Sequence, residues 1–149
     1  MKFEYSDAWL LEAIKLSENG DQGATLTDII QAADSINIAI MTNAEFVTGT
    51  RKLKSLGLII EKDKRFQTTN KFNEWWIKKY GQKSRFSVLK AMEEIEKYLN
   101  KTFGKIEEPT KAIETEITMG DWDRATMAYH KLDQELFTKL TKKKRDKGV

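Results

Sequence analysis

A single proline, Pro109, stands in 149 residues, and most of the eight glycines separate apolar stretches instead of interrupting them. Proline removes an amide donor and clashes with the preceding helical turn. A chain almost free of it can therefore run long helices with few irregular loops. Hydrophobic residues at 40% and charged residues at 33% keep it in the globular range, away from the polar, highly charged compositions that cannot offset chain entropy. The length suits one or two small cores. The absence of cysteine excludes a disulfide framework, a thiolate zinc site and a cysteine nucleophile, and one histidine leaves little imidazole chemistry. No run approaches the ~18 apolar residues of a membrane span, and Met1 to Asp7 carries acids without an apolar signal-peptide stretch. A soluble cytoplasmic protein with no membrane partner is expected.

Periodicity predicts the elements. Ser6 or Asp7 can cap a first helix carrying Leu10, Ala13, Ile14 and Leu16, and residues 18–23 break it. Thr25 with Asp28, and Thr42 with Glu45, have the spacing of reciprocal capping boxes. They start a second helix ending near Ser35 and a third with Phe46, Thr50, Leu53 and Leu56 on one side, closed by a left-handed Gly57. Leu58–Glu61 and Phe66–Thr68 read as strands around a polar turn at Lys62–Arg65. Thr69 or Asn70 caps a fourth helix through Trp75 and Trp76, neighbours that cannot both be buried in one direction. One of them is expected to plug the contact with a second helical layer. A helix from Ser84 to Phe103 follows, then one with Pro109 in its first turn carrying Ile113 and Ile117, then a last helix from Trp122 to about Lys143, capped by Asp121 after Gly120. Its seam is Trp122, Ala125, Tyr129, Leu132, Leu136 and Leu140, suited to a partner helix. His130 and Asp133 share a face only as an exposed helical pair.

The net charge of +3 hides a sign change along the chain. Residues 1–50 hold two basic and eight acidic side chains, residues 51–100 hold 13 basic and six acidic, and the remainder 11 and nine. An uneven field of this kind can steer a polyanion.

The string RKLKSLGLIIEKDKRFQTT, Arg51 to Thr69, resembles the recognition-helix-to-wing segment of winged helix-turn-helix regulators, including the MarR and PadR groups. The resemblance covers about residues 6–80. It implies a mainly α fold: a winged helix-turn-helix over 1–81 with a small β-hairpin wing, followed by a helical hairpin or bundle over 82–149. The segment from Ala33 to Ile40 is longer and more apolar than a minimal turn, and Glu12, Glu18, Asp21, Asp28 and Asp34 make the first two helices acidic. The string GDWDRATMAYHKL, Gly120 to Leu132, also looks like part of a tetratricopeptide repeat, but a single unit suits an ordinary helical hairpin better.

If the third helix enters a major groove, Ala44, Thr48, Arg51 and Ser55 face the bases, with Val47 and Lys52 beside them. Arg51 can fork onto guanine, Thr48 and Ser55 can bond bases or phosphate, and Val47 can meet a thymine methyl. Lys52, Lys54, Lys62, Lys64 and Arg65 are the phosphate candidates. The resemblance implies a DNA-binding transcriptional regulator acting on double-stranded DNA, as a homodimer through its C-terminal helices. The alternative is a winged-helix adaptor that binds protein. No phosphate-binding loop, dinucleotide fingerprint or nucleophile elbow is present, so no cofactor, metal or enzyme activity is expected.

Overall fold

The computed structural model describes residues 1–81, 83, 85–109 and 113–147, the side chains of 144–147 excepted. It is mainly helical. In chain order it has α1 (Tyr5–Ser17), a 3-10 turn (Gly20–Gln22), α2 (Leu26–Asn37) and α3 (Asn43–Ser55). An antiparallel hairpin of β1 (Ile59–Lys62) and β2 (Arg65–Thr68) follows, then α4 (Asn70–Tyr80), α5 (Val88–Phe103) and α6 (Met119–Lys147).

Helix starts follow local side-chain chemistry. Both capping boxes form: the Thr25 and Thr42 hydroxyls accept from the amides of Asp28 and Glu45, whose carboxylates accept in return. A third box opens α1 from Glu4, with Asp7 at its third position, so neither Ser6 nor Asp7 is the cap. A fourth, Thr118 with Asp121, starts α6. Asp121 is the returning carboxylate there, and Gly120 lies inside the helix. α2 runs on to Asn37 because Ile38 takes the left-handed capping conformation, φ 51°. Ile36 and Met41 are buried while Ile38 stays 90% exposed. Gly57 adopts φ +69°, as its place after α3 predicts.

The hairpin turn is tighter than the sequence suggests. Lys62 pairs with Arg65, leaving Asp63 and Lys64 as a two-residue loop with both φ positive. That geometry matches the right-handed twist of the strands, and Asp tolerates it better than most side chains. Ala24 bridges Phe66 through paired backbone bonds of 2.7 and 2.9 Å, adding a third edge to the hairpin. Gly23 permits this approach: it sits at φ +73°, and a Cβ there would lie 2.7 Å from the Phe66 carbonyl oxygen. Gly23→Ala is expected to cost about 2 kcal/mol, read as a lower urea midpoint; an unchanged midpoint would contradict this account of the bridge.

One core joins both halves of the chain. Trp9, Leu10, Ile14, Ile29, Phe46, Phe66 and Phe72 are fully buried together with Ile95 and Leu99 of α5. α5 packs on α1, and α6 packs on α2. The seams of these last two helices therefore do not form a hairpin with each other. The expected helix at Pro109 is also missing: residues 107–109 and 113–118 are irregular, and 110–112 lie outside the described residues. α5 begins at Val88 with Ser87 as its cap, because the Ser87 hydroxyl accepts from the Lys90 amide. The start expected at Ser84 falls outside the described residues. Trp76 is buried against Tyr80 and Phe86, while half-buried Trp75 stacks on Tyr98 of α5 at 4.7 Å. Adjacent tryptophans thus serve two contacts, and Trp75 is the plug. No helix among the described residues is long and apolar enough to cross a membrane.

Candidate functional site

α3 owes its outward face to its inward one. Phe46, Gly49, Thr50 and Leu53 bury one side, which turns Ala44, Thr48 and Arg51 to solvent and leaves Val47 and Ser55 half-buried. In the hairpin, Lys62, Lys64 and Arg65 are exposed. The structure thus brings the nine candidate residues onto α3 and the neighbouring hairpin, but their charges are not equally available.

Lys52 donates to the Asp7 carboxylate and to the Lys2 carbonyl, both at 2.9 Å, and Asp7 is 1% exposed. Lys54 pairs with Glu61 at 2.8 Å, with side chains 15% and 2% exposed, and also donates to the Glu114 carbonyl. Lys64 meets Asp121 at 3.1 Å. The Ser55 hydroxyl donates to the Lys52 carbonyl at 2.7 Å. Thr48, Arg51, Lys62 and Arg65 have no side-chain hydrogen bond or ion pair among the described residues.

The partners of these lysines trace the α5–α6 connection. Glu61 on β1 accepts from Lys54, from the Thr115 hydroxyl at 3.0 Å and from the Glu116 amide at 2.9 Å. Ile117 is buried, and Trp122 stacks on Phe46 at 4.7 Å, with Phe66 edge-on behind it. Residues 114–122 therefore run from the last turn of α3, along β1, to the hairpin turn. Earlier in the connection, Glu108 and Pro109 share a cleft of ≈ 140 Å³ with Thr48, Arg51 and Ser55. The Asp121 carboxyl is held well below its ordinary range by the Thr118 amide and then by Lys64, so it stays charged opposite that lysine.

Three of the acids that make the first two helices acidic are buried or hydrogen-bonded within the fold. Glu12 is fully buried, and burial pushes its carboxyl up to about 8. Glu18 accepts from the Thr68 amide and hydroxyl. Asp34 accepts from the Tyr129 phenol, which raises that phenol to about 12. Sequence spacing carries no signal for Asp7–Lys52 or Lys54–Glu61, whose partners come from different elements. Among the described residues no three His, Cys, Asp or Glu side chains form a metal site. No family model, curated protein or solved structure matches the chain.

Proposed function

We propose that the chain is a winged-helix module that works through protein contact, with the α3–hairpin face committed to its own α5–α6 connection. The order helix, helix, helix, hairpin and the Ala24–Phe66 bridge support the winged-helix reading of residues 1–81. The observation that carries the functional reading is the Glu61 carboxylate, which gathers Lys54, Thr115 and the Glu116 amide beside α3. A DNA reader would leave that lysine free for phosphate. Duplex binding draws most of its affinity from such cations, and here Lys52, Lys54 and Lys64 are paired internally while Glu108 borders the cleft beside Arg51. In a fluorescence-anisotropy titration at low salt, no saturable binding to a random duplex is expected below about 100 µM, the weak end of ordinary non-specific binding.

A second reading, a DNA-binding transcriptional regulator, is favoured by the exposure of Thr48, Arg51, Lys62 and Arg65. Arg51 would then address guanine, and Lys62 and Arg65 phosphates. Saturable binding that weakens steeply with salt, with a shallower slope for Arg51→Ala, would establish this reading and overturn the first.

A further inference from the structure

We propose that the projecting half of α6 pairs antiparallel with the same segment of a second copy, with Leu136 at the two-fold axis. The helix leaves the body after Tyr129, its last buried residue among those described, and every residue from His130 to Leu140 is exposed. From His130 to Lys147 it projects for roughly 27 Å. Leu132, Leu136, Phe137 and Leu140 are 54%, 58%, 72% and 57% exposed. The three leucines continue the stripe that Trp122, Ala125 and Tyr129 bury against the body. A face that is core for three turns and bare for the next three is built for another helix.

The pattern selects the partner and its direction. A two-fold interface must be complementary to itself, and Leu132 and Leu140 lie four residues either side of Leu136. Rotation about Leu136 sets Leu132 against Leu140 of the other copy and maps the three exposed leucines onto themselves. Charge leans the same way: Asp133 and Glu135 lie before the centre beside a single lysine, Lys131, and Lys139, Lys142 and Lys143 lie after it. Parallel pairing would put like charges level. Antiparallel pairing puts Glu135 of one copy and Lys139 of the other on one edge of the seam, about 3 Å apart along the axis. On the other edge Phe137 meets its own copy. A seam of about three turns lies at the small, weak end of specific interfaces, so a dimer in the micromolar range is expected. It does not depend on what the α3 face binds.

Sedimentation velocity of the full chain tests this. Wild type should move from the 17.3 kDa chain to twice that mass with rising concentration. Leu136→Asp should stay monomeric with its circular dichroism retained, because Leu136 lies outside the folded core. Glu135→Lys and Lys139→Glu should each weaken the dimer about tenfold, and their equimolar mixture should recover it, because each variant then faces the other's opposite charge. A pair within one helix cannot produce that recovery. A monomeric wild type at about 200 µM, well above a micromolar constant, or a Leu136→Asp dimer as tight as wild type would overturn the proposal. A mixture no tighter than its components would overturn the antiparallel register.

Discussion

Lys52→Met is expected to cost about 3 kcal/mol of folding stability, while Arg51→Ala next to it changes stability by less than about 0.5 kcal/mol. Both residues stand on the face of α3 that the sequence offers to DNA. Lys52, however, reaches back to an Asp7 carboxylate that is 1% exposed. Methionine keeps the aliphatic stem and removes only the ammonium, so the penalty is that of a buried carboxylate left with the Glu4 amide as its remaining partner. Removing one member of a buried pair costs more than the pair contributes over an apolar replacement. Lys52 keeps some access to water, which puts the loss at the low end of that range. Urea denaturation of both variants, with Asp7→Asn and the Asp7→Asn/Lys52→Met double variant to close the cycle, measures it. Equal, small effects at positions 51 and 52 would mean that the ion pair does not hold α1 to α3.

Glu12→Met should act in the opposite direction. Glu12 is fully buried in α1, neither carboxyl oxygen has a partner among the described residues, and burial raises its carboxyl to about 8. Between the ordinary glutamate range and pH 8 the unfolded chain has released a proton that the folded chain keeps. Stability therefore falls as pH rises through that window and levels off above it. Wild type is expected to lose roughly 2–4 kcal/mol between pH 5 and pH 8 from this group. Glu12→Met should abolish most of that slope and be the more stable protein at pH 8 by about the same amount. An unchanged slope, or a variant destabilised at pH 8, would mean that a bound water or another donor serves the carboxylate.

Several elements were legible in the sequence from local chemistry, although the equally local Glu4–Asp7 and Thr118–Asp121 boxes were not. Thr25–Asp28 and Thr42–Glu45 act across three residues, Gly57 within its own φ, and the apolar spacing of α3 within four turns. Where long-range packing decides, the reading failed. Pro109 suits a first helical turn, yet Thr115 and Glu116 bond Glu61 and residues 113–118 stay irregular beside β1. Leu132, Leu136 and Leu140 keep the spacing of a seam suited to a partner helix, and spacing alone does not tell that α6 outruns the body and leaves them exposed. The candidate site was legible to the same depth. Its residues do share α3 and the hairpin, and Arg51 is exposed as the helical period requires. What spacing cannot give is the occupancy of Lys52, Lys54 and Lys64, because Asp7, Glu61 and Asp121 come from remote parts of the chain.

The α3–hairpin face is tested most directly by an amide NMR titration with a random duplex at low salt. The resonances of Thr48, Arg51, Lys62 and Arg65 should not move, and the Glu116 amide should stay protected at Glu61. Shifts confined to those four residues, with release of the Glu116 amide and reversal on adding salt, would contradict the account and return the face to DNA.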